Sequence, residues 1–345
     1  MIRLFQFELK KILTVMALWA FVLLSVAVNI WAVPFGSTDE FDTTTPFHIN
    51  VFESYNTSEV AEIYISALGL TGRVAERMRV KFDDLQIVAD DKAIAGVSFS
   101  PYFNEHTHMM HNRLFDRGGV MSILLLQGVL LSVLVTLLSV GHEQINNTEH
   151  SVYATKTGRR ILRYKIAASL VVSIGLYAVL SAITLAVYFN VIDYSNVWNS
   201  SVSSGFNYLA DAFTVRPFAT WRSFTVRSYF LASLGMSFGL IVCFSLMGAV
   251  IGTLSKNGYM GFWVVILINA VCITIPMVLS VNSFLRYILF QTPLWLWLNS
   301  GLWFTDGGFF TLWRNFELWG LGVSLLFLAA MCLLFVKKFE KRNIV

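Results

Sequence analysis

Charge is what this sequence has least of. Only 13% of its 345 residues are Asp, Glu, Lys or Arg, while 56% are hydrophobic and the mean hydropathy is +0.64. Soluble domains carry about 25% charged residues, so there is too little polar surface here to cover a water-soluble globule. Cysteine is also scarce: Cys243, Cys272 and Cys332 all fall inside apolar runs. That excludes a disulfide framework and a thiolate metal cluster, and leaves three small hydrophobes. Catalytic signatures are missing as well. No G-x-x-x-x-G-K-[ST] occurs, so the chain has no phosphate cradle of that kind. No H-E-x-x-H or G-x-S-x-G marks a hydrolytic metal or nucleophile. Internal repeats, low-complexity tracts and flexible linkers are absent too.

What the sequence does have is long apolar runs. A helix needs about 20 apolar residues to cross the hydrocarbon core. Six stretches qualify, near 14–34, 119–141, 165–191, 228–253, 259–281 and 317–336, none with a charge near its centre. Residues 1–13 precede the first, and 35–118 form a polar insertion between the first and second. The first run is longer than the 7–15 residues of a signal peptide, so a cleaved leader is not expected.

Lys and Arg gather at alternate ends of these runs. With both termini inside, Arg3, Lys10, Lys11, Lys156, Arg159, Arg160, Arg163, Lys165, Lys256, Lys337, Lys338, Lys341 and Arg342 share the cytoplasmic side with four Glu. The outer loops beyond the long insertion hold only Arg216, Arg222, Arg227, Arg286 and Arg314. Positive charge stays inside, so the expected topology is a multi-pass protein of the plasma membrane with N- and C-termini cytoplasmic. Eight of ten Trp (31, 198, 221, 295, 297, 303, 313 and 319) fall near the outer boundary, where the indole prefers the headgroup level.

Several segments carry finer expectations. Ile2, Phe5, Leu9, Ile12 and Leu13 share one helical face and Arg3, Gln6 and Lys10 another, a pattern suited to a helix lying along the inner surface. In the insertion, Asp and Glu outnumber Lys and Arg by thirteen to seven. Ser58 can cap a helix whose apolar face is Val60, Ile63, Tyr64, Ala67 and Leu68. Val80, Phe82, Leu85 and Ile87 alternate more like a strand, so the insertion reads as a small α+β unit. Gly235 with Gly239, and Gly248 with Gly252, form GxxxG pairs that let helix backbones approach in lipid. Whether they serve an intrachain contact or a dimer stays open.

The outer segment 282–316 is dense in aromatics and broken by Pro293, Gly301, Gly307 and Gly308, which fits short re-entrant or interfacial helices. His106, His108 and His111 invite a zinc reading. On a helix only His108 and His111 are neighbours, so a polar extension of the second span is the preferred reading and no metal is assigned. With no ionisable residue in mid-membrane, an ion-driven carrier or channel is disfavoured. Asn29, Gln127, Asn190, Asn269 and Thr274 are left as mildly polar groups that could line a passage.

The cytoplasmic loop 142–164 runs from His142-Glu143 through Glu149-His150-Ser151-Val152-Tyr153 to Gly158-Arg159-Arg160 and Lys165. Snorkelling cations explain its basic end, but not the acidic and aromatic stretch before it, which suits a short helix docked into a partner's groove. Together with Phe7-Glu8-x-Lys10-Lys11 and the order of spans, this loop resembles the permease subunits of ABC-2 type exporters. The resemblance covers the whole chain as topology, but the sizeable insertion 35–118 departs from the commoner short link.

It implies an all-α integral membrane protein with six transmembrane helices in a permease domain (14–345), an N-terminal interfacial helix (1–13) and external re-entrant helices, to which this chain adds the small α+β extracellular insertion (35–118). It implies that Phe5, Phe7, Glu8, Lys10 and Lys11 belong to the interfacial helix. Glu143, Glu149, His150, Val152 and Tyr153 would carry the coupling helix to a separate ABC ATPase. The partners would be that ATPase subunit, a second permease copy or paralogue, and membrane lipid, with no nucleic acid. The chain itself would hold no cofactor and no catalytic site, with ATP and Mg on the ATPase. The cargo would be an amphipathic peptide (an antimicrobial peptide among them), drug or lipid-like molecule. Two rival readings remain, a membrane sensor or assembly protein with an extracellular ligand-binding domain, and a lipid-headgroup enzyme built on the three histidines.

Overall fold

The computed structural model describes residues 2–33, 50–95, 105–146, 148, 151–152, 158–203, 207–255 and 258–341. Helix dominates. Five helical stretches are long and apolar enough to cross a membrane: His108–Gln144, Gly158–Val191, Val226–Leu254, Gly258–Val278 and Phe316–Lys341. A sixth crossing is available to the N-terminal pair, α1 (Ile2–Leu13) and α2 (Met16–Ala32), which meet at a 58° bend. These overlap the apolar runs read from the sequence, the sixth only if the bent pair makes one crossing, and the second begins at His108 rather than near 119.

At the centre, α6 (Val120–Ile145), α7 (Ile161–Val191) and α8 (Val226–Leu254) pack on one another. Small residues make the approach possible. A Cβ at Gly128 would run into the Tyr177 ring and Ile241, so three helices meet over one glycine. Gly248 and Gly252 face α6, where an added Cβ would stand 3.3 Å from Thr136 and Val140. Gly239 faces Leu321 of α12 (Phe316–Lys341), whereas Gly235 opens onto empty space. The two GxxxG pairs therefore differ: the second is an intrachain contact, and only one member of the first packs within the chain. The sides of α9 (Gly258–Val278) and α12 remain largely uncovered.

The polar groups expected to line a passage do not converge. Asn29 and Gln127 exchange amide hydrogen bonds at 2.8 and 2.9 Å, and Asn29 also donates to Thr184 Oγ1 at 2.9 Å. Asn190 and Thr274 bond carbonyls of their own helices. Asn269 bonds Val265 O and the Met247 sulfur. These are satisfied contacts, as apolar surroundings demand, three of them within a helix and the Asn29 bonds to Gln127 and Thr184 between spans.

One end of the bundle carries a cap. It is assembled from α3 (Thr57–Leu68), α4 (Gly72–Ala95), a two-stranded antiparallel hairpin of β1 (Tyr208–Ala210) and β2 (Val215–Pro217), and α10 (Phe284–Leu289) and α11 (Pro293–Leu298). Asn56 caps α3 by accepting from Ser58 N, and Gly69 ends it in a left-handed conformation. Asn56, not Ser58, is thus the N-cap of α3, and two further expectations are corrected. Residues 80–88 are helical, because Val74, Met78, Phe82, Leu85 and Ala89 repeat at helical spacing and are buried, while Val80 and Ile87 face out. Ile63 is also turned outward, and Ala61 and Ile65 take its place in the core.

The insertion does not enclose a core of its own. Phe52, Tyr64 and Phe82 share one cluster with Ala219, Trp221, Tyr287, Phe290, Trp295 and Leu312 from the later loops. Trp221, Trp295 and Trp303 are accordingly buried rather than set at a headgroup boundary, and Trp295 and Trp303 donate to Cys272 O and Leu296 O, each at 3.0 Å. Trp31 and Trp319 remain exposed, as expected of interfacial indoles.

Candidate functional site

The end opposite the cap holds α1, the segment entering the 142–164 loop and the end of α12. Here α1 packs against α6 and α7 through Phe5, Leu9 and Ile12. That corrects the expectation of a helix lying only on a membrane surface: its apolar stripe also faces the bundle. Phe7 and Lys10 point away and are exposed.

Beside that stripe lies a buried cluster of charge. Glu8 and Glu143 are 1% and 2% exposed, and Lys165 is 1% exposed. Lys11 Nζ donates to Glu143 Oε1 at 2.6 Å and stands 3.9 Å from the Glu8 carboxylate. Glu143 pairs on its other oxygen with Lys165. Lys165 also donates to Ser139 O at 3.0 Å, and Ser139 Oγ donates back to Lys165 O at 3.3 Å. Three elements thus meet on one carboxylate: the N-terminal helix, the last turns of α6, and the first turns of α7. Two negative and two positive side chains leave the cluster neutral, which is the condition for burying charge. Glu8 is the weak member. Neither of its oxygens has a hydrogen-bond partner among the described residues, so its support is the longer-range pull of Lys11 and Lys165.

From this cluster the chain runs directly into the loop predicted to couple. Thr148 N bonds Glu143 O at 2.9 Å and Val152 N bonds Thr148 O at 3.0 Å, while Val152 is half-buried. Glu149, His150 and Tyr153 lie outside the described residues. The loop's basic exit is tied to the last span: Arg163 pairs with Glu340 at 2.6 Å, and Arg159 lies over the Phe339 ring at 5.7 Å.

A second charged cluster locks the cap. Arg216 grips Asp306 with two bonds of 2.7 and 2.8 Å and Asp211 with one of 2.9 Å. Tyr64 donates its hydroxyl to the same Asp211 oxygen. Lys81, fully buried, donates to the carbonyls of Asp306, Gly308 and Thr311 at 3.2, 2.6 and 2.9 Å. Gly308, at φ +56°, leaves room for the Arg216 guanidinium, which a Cβ would approach to 3.3 Å. Burial pushes the Lys81 amine down to about 7, against the pull of Asp306. Burial alone would raise the Asp306 carboxyl, but Arg216 overcomes it and holds the group below its usual range.

The remaining predicted site residues separate. His108 stacks on Tyr208 at 3.8 Å and meets Asn112 at 3.0 Å, while His111 packs among Phe115, Phe218 and Tyr229. The side chain of His106 lies outside the described residues. No group of three His, Cys, Asp or Glu suited to a metal ion occurs among the described residues.

No known protein stands in for this geometry. A scan of protein-family models, a search of curated proteins and a search of solved structures each return no match. Lys165, Lys81, Asp211 and Asp306 were missed as site residues by sequence reasoning. The available signal for Lys165 was a lysine one turn inside an apolar run, too deep for a freely solvated loop cation. Lys81 and Asp306 lie 225 residues apart, and no local pattern joins them.

Proposed function

We propose that this chain is the membrane subunit of an ATP-driven exporter, moving an amphipathic peptide, drug or lipid-like substrate with energy supplied by a separate ATPase subunit. In this reading α1 and the 142–164 loop lie in the cytoplasm, the cap lies outside the plasma membrane, and a second permease copy or paralogue completes the unit. The observation that carries it is the neutral buried cluster of Glu8, Lys11, Glu143 and Lys165. A push on the loop reaches Glu143 first, and Glu143 is bonded to both the N-terminal helix and the third span. Ionisable groups sunk into spanning helices mark function by default, and a bonded cluster shared by three elements transmits displacement where apolar side chains would slide.

The test is purification of the tagged protein from its own host, followed by reconstitution with whatever co-purifies. A stoichiometric subunit bearing a phosphate-binding loop, and ATP-dependent substrate movement lost in Glu143→Gln while ATP hydrolysis persists, is the expected result. If no ATPase co-purifies and vesicles show no ATP-dependent movement, the exporter reading fails. The chain would then be read as a sensor, which the cap's own cavities favour.

A further inference from the structure

Two cavities flank the break between α5 (Glu105–Phe115) and α6. One, of about 410 Å³, opens in the cap between α5, the hairpin and the loop after α11. The other, of about 420 Å³, lies between the ends of α2, α6 and α7. Asn112, Asp116 and Arg117 line both, so residues 116–119 form a thin partition, with Gly118 at φ +90° making the turn. Each volume falls in the range of small-molecule sites, about 300–1,000 Å³.

Several polar groups lining the cap cavity spend their hydrogen-bonding capacity within the fold. Asp211 takes Arg216, Tyr64 and the backbone N–H groups of Phe213 and Thr214. Asp116 Oδ1 takes Arg117 N at 2.7 Å. Arg216 is spent on Asp306 and Asp211. Two donors are not. Asn299 is 4% exposed and its Nδ2 has no partner among the described residues, a buried amide whose lost hydration is uncompensated unless something accepts from it. Arg117 is exposed at the rim, its guanidinium likewise without a partner there. Around them the walls are apolar: Phe115, Tyr208, Phe309 and Phe310 on the cap side, and Val33, Val120, Ile123 and Tyr188 across the partition.

Spare donors set among aromatic and aliphatic walls call for a ligand with an acceptor head and an apolar body. We propose that the cap cavity binds a single-chain amphipathic oxyanion, its carboxylate or phosphate held by Arg117 and Asn299 and its chain lying along the aromatic walls. This assigns a site and a ligand class that the export reading leaves open. It is judged by binding to the isolated full-length chain, so failure of ATP-driven transport would not touch it.

The test uses protein purified in decyl maltoside, whose neutral head supplies a chain-only background. Dodecanoate and dodecyl phosphate are titrated by calorimetry against wild type, Arg117→Ala and Asn299→Ala. Acetate and inorganic phosphate serve as chainless arms. The expected result is saturable binding of at least one amphiphile, weakened about tenfold in each variant, as loss of one hydrogen bond to a charged group implies, with the chainless ions failing to saturate. A preference for dodecanoate points to a free carboxylate, and one for dodecyl phosphate to a lipid phosphate. Equal affinity in wild type and Arg117→Ala, whose exposed side chain is not needed for folding, would overturn the site. So would absence of saturable binding. Inorganic phosphate binding as tightly as dodecyl phosphate would overturn the amphipathic assignment.

Discussion

The molecule buries charge at both ends of its bundle, and it does so differently. In the cap, Arg216, Asp306, Asp211, Tyr64 and Lys81 use nearly every donor and acceptor they own. At the opposite end Lys11 divides itself between Glu143 at 2.6 Å and Glu8 at 3.9 Å, and Glu8 accepts no hydrogen bond. A fully satisfied network rigidifies the elements it joins, whereas a partly satisfied one has other arrangements of similar energy. The cap cluster is a lock on three segments drawn from distant parts of the chain: the α3–α4 helices, the hairpin and the loop at Asp306. The cluster at the other end is a joint, at the place where the proposed function needs movement.

The strongest way to break the comparison is Arg216→Met. It leaves Asp306 and Asp211 buried without their cation, and should destabilise the cap by about 3–5 kcal/mol. Chemical unfolding followed by fluorescence of the buried cap tryptophans reads this directly, and a loss below about 1 kcal/mol would mean the cap is held by its apolar core alone. The pH dependence comes next. Lys81 is depressed from 10.5 to about 7 in the fold, so between those values the unfolded chain binds a proton that the folded one does not. Stability therefore rises as pH rises from about 7 to 10.5, by up to about 1.4 kcal/mol per unit, and falls as pH drops back toward 7. Lys81→Met should flatten that slope; an unchanged slope would assign it to another group.

A smaller effect separates the glycines. Gly248→Leu drives a side chain into Thr136 and should cost about 1–3 kcal/mol, while Gly235→Leu, facing open space, should stay within about 0.5 kcal/mol of wild type. Comparable losses in monomeric detergent-solubilised protein would show that Gly235 is covered after all. The smallest effect sharpens the joint itself. Glu8→Gln removes a buried charge that has no hydrogen bond among the described residues; the desolvation saved offsets the lost neutrality of the cluster, and the change should stay within about 1 kcal/mol of wild type. A loss above about 2 kcal/mol in thermal melts would make Glu8 a structural anchor, and the joint a second lock.

The helical runs were readable because each answers to a one-dimensional rule: enough apolar residues in a row, bounded by polar ones. The alternation at Val80, Phe82, Leu85 and Ile87 misled for the same reason, since four residues do not distinguish a period of 2 from the wider spacing of Val74, Met78, Phe82, Leu85 and Ala89. Trp221, Trp295 and Trp303 were expected at a headgroup boundary and are buried in protein instead, while Trp31 and Trp319 stay exposed. Composition tells that an indole seeks a half-polar setting, not whether headgroups or a folded cap provide it. Part of the candidate site was visible too. Glu8, Lys11 and Glu143 drew notice as loop and helix residues, while the pairing of Glu143 with Lys165 did not.

By itself, the amino-acid sequence determined that the chain is a bundle of membrane-length helices with a polar insertion after the first and positive charge gathered at alternate ends. Those properties follow from hydropathy and charge along the chain, which act wherever the chain goes. Only the tertiary structure decided which glycines pack, that the insertion shares its core with later loops, and that buried charges pair across 132 residues at one end and 90 at the other. A buried ion's cost is set by the partner that reaches it, and partners so far apart in the chain are chosen by packing alone.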